Sequence, residues 1–277
     1  MNQSIIRNAV LTSAVAILAS ASISSANTII YQTGFEAPGY TVGNLIGQNN
    51  WQQFDADLPF ANVTVQDGVV RPITGGLQAV KFQAMGPSAD PYADFTNVWS
   101  SDSAVSSAHI ANEPIVWIQW DMMREALSSG SGASATTSGG SWGIDVYDTN
   151  ANNLALTISV YDDMIGPGIS GTDDSLAQVF LSEASERGTW DTYAIEIDYT
   201  SRSYTVFING NLVGSPLTLN AAADNGIGDV DFLSWTRGTD SAYFDNLLIT
   251  TNAVPEPASL GLIGSTGMLL ARRRRTN

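Results

Sequence analysis

The chain has 277 residues, 27 acidic and 11 basic, with a formal net charge of −16 and no cysteine. A surface this acidic lacks the basic footprint that phosphate backbones and anionic lipids require, so nucleic acid is excluded as a partner and divalent cations are favoured. The absence of cysteine excludes disulfides, thiolate metal sites and cysteine nucleophiles, leaving a packed core as the source of stability, with a bound ion as its one supplement.

Met1–Arg7 is short and polar, with one positive charge at Arg7. Ala9–Ile23 is an apolar run broken only by small hydroxyl residues, and Ser24-Ser25-Ala26 follows with small side chains. These are the three regions of a secretory signal peptide, which predicts cleavage after Ala26 by signal peptidase. An N-terminal membrane anchor is the alternative, but the apolar run is about 15 residues where a spanning helix needs about 20.

Residues 27–251 are expected to form one β domain. Removing both ends of the chain leaves six basic residues (Arg71, Lys81, Arg124, Arg187, Arg202 and Arg237) and 26 acidic ones, a net charge near −20. Helical periodicity is almost absent. Short alternating runs recur between Gly, Asn, Asp, Ser and Pro, the signature of strands joined by turns. The predicted strands are Thr28–Gln32, Asn62–Gln66, Gly68–Arg71, Leu77–Gln83, Ala93–Trp99, Ile115–Met123 and Trp142–Asp148. Leu154–Tyr161, Ala177–Leu181, Trp190–Tyr199, Ser203–Ile208, Asn211–Gly214, Val230–Trp235 and Ala242–Thr250 complete the set. Ala126–Gly140, rich in Ser, Gly, Ala and Thr, reads as a flexible loop between two strands.

Two segments specify geometry. Tyr193, Ile195, Ile197 and Tyr199 alternate with Glu196 and Asp198, which predicts a strand with one dry and one wet face. Asn209-Gly210 between Ile208 and Asn211 predicts a hairpin with a type I′ turn. Many short strands at this spacing predict an all-β, two-sheet antiparallel sandwich of the jelly-roll kind.

The catalytic motifs are sparse. Glu196-Ile-Asp198 presents two carboxylates on one strand, with Ser201 and no third carboxylate following them. His109, the single histidine, has no glycine-framed nucleophile near it, and one histidine cannot build a zinc site of the usual kind. Asp224-Asn225-Gly226-Ile227-Gly228-Asp229 lacks the alternation and terminal glutamate of an EF-hand. The expectation is therefore a non-catalytic protein. Seven tryptophans remain, most expected in the core; Trp117 and Trp120 have opposite parity on one strand, so one of them must face outward. An outward aromatic face can stack on a sugar ring.

The C-terminal end carries Val254-Pro255-Glu256-Pro257, then an uncharged stretch Ala258–Ala271, then Arg272, Arg273, Arg274 and Arg275. The two prolines keep the chain extended at positions 255 and 257. The apolar stretch is long enough for a helix of about 21 Å, which reads as a short transient membrane insertion with the arginines on the cytoplasmic side. Taken together, residues 254–277 resemble the PEP-CTERM sorting signal: a Pro-Glu-Pro motif, a short apolar helix and an arginine cluster. The resemblance implies recognition and tail removal by an exosortase, a Gram-negative host and exopolysaccharide surroundings.

The middle of the chain resembles the concanavalin A-like jelly rolls, which include legume lectins, laminin G-like domains and laminarinase-type glucanases. The residues that carry the likeness are Trp190–Tyr199, Tyr204–Val213, the closing Ala242–Ile249 and the opening Gly34-Phe35-Glu36. In many carbohydrate-binding jelly rolls a glutamate near the first strand and an aspartate in the last strand clamp one structural calcium. By that resemblance Glu36 and Asp245 are the candidate ligands. The alternative is that both face solvent or take backbone hydrogen bonds. The functional expectation is an exported cell-surface or matrix protein that binds polysaccharide. A glycan-degrading enzyme of the same fold and a purely structural coat protein are the rivals.

Overall fold

The computed structural model describes residues 28–53, 62–72, 76–83, 92–97, 106–125, 141–150, 153–162, 167–235 and 241–251. The predicted signal peptide, the Ala126–Gly140 segment, Trp99 and the sorting tail lie outside the described residues.

Sixteen strands are described: β1 (Thr28–Thr33), β2 (Gly43–Asn44), β3 (Trp51–Gln53), β4 (Asn62–Gln66), β5 (Ala79–Gln83), β6 (Tyr92–Asn97), β7 (Ile115–Arg124) and β8 (Ser141–Tyr147). They continue as β9 (Leu154–Asp162), β10 (Pro167–Thr172), β11 (Gln178–Glu183), β12 (Trp190–Asp198), β13 (Ser203–Ile208), β14 (Asn211–Thr218), β15 (Asp229–Trp235) and β16 (Ser241–Thr251). One helical turn, α1 (Ser107–Ile110), precedes β7.

All pairings are antiparallel, and the strands form two sheets. The first runs β14-β13-β12-β7-β16-β5-β4-β2 with β1 also on β16, and the second runs β11-β10-β9-β8-β15-β6-β3. The jelly-roll sandwich expected from the sequence is the fold observed. Alternation decides which side chains meet between the sheets. Val116, Ile118 and Trp120 of β7 turn inward, as do Tyr193, Ile195 and Ile197 of β12 and Ile144 and Val146 of β8. A ring cluster joins the sheets: Phe232 of β15 stacks on Phe244 of β16 at 4.6 Å, and Trp51, Phe82 and Phe35 pack around them.

The hairpin between β13 and β14 forms as expected. Ile208 pairs with Asn211, and Asn209 and Gly210 both have positive φ, 50° and 78°. One predicted strand is corrected. Gly68–Arg71 is a bend and not a strand, because Gln66 Oε1 accepts the amides of Gly68 and Val69 at 2.6 and 2.8 Å and turns the chain.

The feature that positions the site lies on β16. Its first part pairs with β5 through Phe244, and its last part pairs with β1 from Leu247 onward. The change of partner coincides with a bulge against β7 between Asp245 and Leu248, where Asn246 takes φ 51°. A bulge re-aims the side chains beside it, and asparagine tolerates this conformation better than most residues.

Candidate functional site

The bulge places Asp245 on the outer face of the first sheet, with Asp121 of β7 as its direct cross-strand partner. Two carboxylates directly opposite one another repel. The Asp121 carboxylate is compensated. Arg71 reaches across the sheet to form an ion pair with its Oδ1, Thr192 donates to the same oxygen at 2.8 Å, and Asn246 Nδ2 donates to Oδ2 at 2.8 Å.

Asp245 is compensated less well. It is fully buried, its Oδ1 accepts the Asn246 amide at 2.8 Å, and its Oδ2 is buried without a hydrogen-bond partner. Burial, and then the charges of Asp121 and Glu36, push its carboxyl up to about 8, while the Asn246 amide and Arg71 pull the other way. A group held this way either keeps its proton near neutral pH or takes a cation.

The segment after β1 passes over this point. Gly34-Phe35-Glu36 follows Thr33, and Phe35, with φ 57°, turns its ring into the core, where it is fully buried. Gly34 is small where the chain crosses the bulge: a Cβ there would stand 3.2 Å from Asn246 Oδ1 and 3.8 Å from both Asp245 Oδ1 and Glu36 Cγ. Glu36 Oε1 accepts the amides of Leu77 and Gln78 at 2.8 and 2.9 Å. Gly76 has φ 66° and leaves room for that oxygen, since a Cβ there would overlap it. Gln78 is 91% buried, and its own Oε1 has no donor.

The two sequence-predicted residues, Glu36 and Asp245, are therefore brought to one place. Glu36 also makes the backbone hydrogen bonds foreseen as its alternative role. Among the described residues, no three carboxylate, histidine or cysteine side chains converge as a metal site. An ion here would draw on two carboxylates plus amide and backbone oxygens, a donor set suited to calcium and to no softer metal. Arg71, Asp121, Thr192 and Asn246 were not foreseen, although Asp121 was detectable as the single charge inside the apolar run Ile115–Met123.

Other candidates fall elsewhere. His109 closes α1 and lies 3.4 Å from Glu113. Glu196 and Asp198 face outward on β12, and Asp198 caps the turn to Ser201. On the second sheet Asp145 and Asp231 are direct cross-strand partners, 4% and 0% exposed, and Thr157 donates to Asp145 at 2.5 Å. Trp51, Trp120 and Trp142 are buried, whereas Trp117 faces outward, half-buried, with its ring 5.2 Å from Phe207.

Residues 253–275 match the PEP-CTERM protein-sorting motif. The motif accounts for Pro255, Glu256, Pro257 and the arginines Arg272, Arg273, Arg274 and Arg275 as parts of one sorting signal. No curated protein matches the chain. Among solved structures, the chain is similar to a conserved carbohydrate esterase from the Shiga toxin-encoding bacteriophage phi24B, at TM-score 0.53 and 16% identity over 82% of this chain and 100% of that one. It is similar to the globular domain of T. cruzi calreticulin at TM-score 0.52 and 11% identity over 90% and 100% of the two chains. The alginate lyase AlgAT5 of Polysaccharide Lyase family 7 aligns at TM-score 0.43 and 13% identity over 74% and 95%.

The expectation of a non-catalytic protein is corrected, because a carbohydrate esterase has the same fold. The missing carboxylate on β12 and the lone histidine exclude two particular chemistries, not catalysis as such. The chain is a jelly-roll sandwich carrying a C-terminal PEP-CTERM signal, and hence an exosortase-sorted extracellular protein.

Proposed function

We propose that the exported domain engages polysaccharide at the cell surface, through the outer face of its first sheet. The observation that supports this is the outward aromatic pair. Trp117 of β7 packs against Phe207 of β13, Ala194 of β12 lies opposite Phe207, and Leu212 of β14 is 57% exposed beside it. Glu196 and Thr205 border the rings with polar atoms. Flat apolar faces ringed by hydrogen-bonding groups suit the two sides of a pyranose ring. The acidic surface favours neutral or cationic polymers over polyanions.

The test is affinity electrophoresis of the full chain and its Trp117→Ala variant in gels cast with host exopolysaccharide. The variant is expected to bind about tenfold more weakly, equivalent to about 1.4 kcal/mol. Equal retardation of the two proteins refutes the platform. Retardation of neither, at any calcium level, favours the coat-protein reading. Release of new reducing ends during incubation identifies a glycan-degrading enzyme.

Calcium is the proposed cofactor. Glu36 and Asp245 would hold it, and the orphaned Asp245 Oδ2 is the feature that supports an ion there. Its role would be structural: it would neutralise the Asp245 carboxylate and tie the segment after β1 to the bulge of β16. Scanning calorimetry with calcium and with chelator tests this, and an unchanged melting temperature rules out a stabilising ion.

A further inference from the structure

The first and last strands of the described domain meet at one point. Thr28 is the direct partner of Thr251, and the pairing continues inward to Thr33 and Leu247. The two ends of the domain therefore emerge side by side, about 5 Å apart at Cα. The sorting motif begins at residue 253, two residues beyond Thr251. An extended residue spans at most about 3.6 Å, so Pro255 lies within roughly 14 Å of the end of β16. A folded domain of about 225 residues has a radius of gyration of roughly 17 Å. An enzyme that grips the Pro-Glu-Pro segment thus cannot avoid this end of the sandwich.

The end is built as a surface. Thr251 Oγ1 donates to Glu113 Oε2, which fixes the exit of the chain against the turn between α1 and β7. Tyr199, after β12, closes the adjoining corner: its amide binds Pro114 O at 3.0 Å, and its hydroxyl binds Gly226 O at 3.0 Å. Between them lies a cavity of about 260 Å³, lined by Ile110, Ala111, Pro114, Tyr199, Thr200 and Asn225. The surrounding loops carry Glu113, Asp173, Asp174, Asp198 and Asp224 with Arg202 and His109 among them. That excess of carboxylates disfavours anionic lipid headgroups as the neighbour. We propose that this end, from Ile110 to Pro114 together with Tyr199, Thr200 and Asn225, is the surface that docks against the exosortase while the tail is processed.

The test follows tail loss by pulse-chase in an exosortase-bearing host, using the full chain. Ala111 and Thr200 are both exposed. The pair Ala111→Arg/Thr200→Arg, and separately Ala111→Glu/Thr200→Glu, should each slow processing at least fivefold without lowering the melting temperature. Thr189→Arg, an exposed change just before β12 and so at the opposite end, should not. A Gly/Ser spacer of about twelve residues after Thr251, spanning about 20 Å, should restore the rate of both paired variants. Wild-type processing in all variants overturns the proposal. So does acceleration by arginine with slowing by glutamate, which would identify a lipid surface. Failure of the spacer to restore the rate also overturns it. Glu256→Ala serves as the unprocessed reference for the motif itself.

Discussion

Replacing Asp245 with asparagine keeps the shape of the side chain and its acceptor for the Asn246 amide, but removes its charge. In the folded chain the carboxyl is pushed from 3.8 to about 8 by burial and by the facing carboxylates. Each unit corresponds to about 1.4 kcal/mol, so ionising Asp245 in ion-free protein costs at most roughly 6 kcal/mol. The sign follows from proton counting. The unfolded chain releases this proton near pH 4, whereas the folded chain holds it until about pH 8. Stability present below pH 4 is therefore lost progressively as the pH climbs towards 8, and the loss levels off above that. Asp245→Asn removes this slope. In chelator, urea unfolding at pH 5, 7 and 9 should show the variant gaining on the wild type as pH rises, up to several kcal/mol at pH 9. If calcium fills the proposed site, adding it should narrow this gap, because the ion would stabilise the carboxylate and the asparagine would bind it poorly. At a hundred times the dissociation constant this linkage amounts to about 2.7 kcal/mol. A variant equally destabilised at pH 5 and pH 9, in chelator and in calcium alike, refutes the reasoning.

Arg71→Met should be more damaging than Asp245→Asn, costing about 3–5 kcal/mol in denaturant unfolding, because it leaves Asp121 buried, charged and facing Asp245. The double variant Arg71→Met/Asp245→Asn should recover part of that loss, giving a coupling of about 1 kcal/mol or more in a double-mutant cycle. Gly210→Ala should cost about 1–2 kcal/mol, since φ is 78° and no neighbouring atom stands within 4 Å to add a clash. Phe244→Ala, which empties the ring stack between the sheets, should cost about 3–5 kcal/mol by thermal unfolding.

Strands were legible where alternation was long enough to repeat. Trp190–Tyr199 shows its buried side at every second residue, and the observed β12 ends one residue earlier. The elements that were missed have no such pattern. Gly43–Asn44 is two residues long, and Pro167–Thr172 reads Pro-Gly-Ile-Ser-Gly-Thr, a composition that usually marks a loop. The latter is held by neighbours on both sides, β9 and β11, so tertiary pairing supplies what propensity does not. The same limit applies at the site. Glu36 and Asp245 could be paired through the resemblance to jelly rolls that clamp an ion between a glutamate near the first strand and an aspartate in the last. Arg71 could not, because its position depends on the bend that Gln66 imposes before it.

The joining of the first strand to the last also has a consequence in time. Thr28–Thr33 can acquire its partner only once residues 247–251 are available, so the sheet stays open at β16 until nearly the whole domain has emerged. Pairings of such separation make folding slow. Until then the aromatic cluster lacks Phe244, the ring that stacks on Phe232 of the facing sheet. The domain thus matures as a unit at the close of its own delivery, and a chain stopped short of β16 would leave β1 as an unpaired edge, open to other strands.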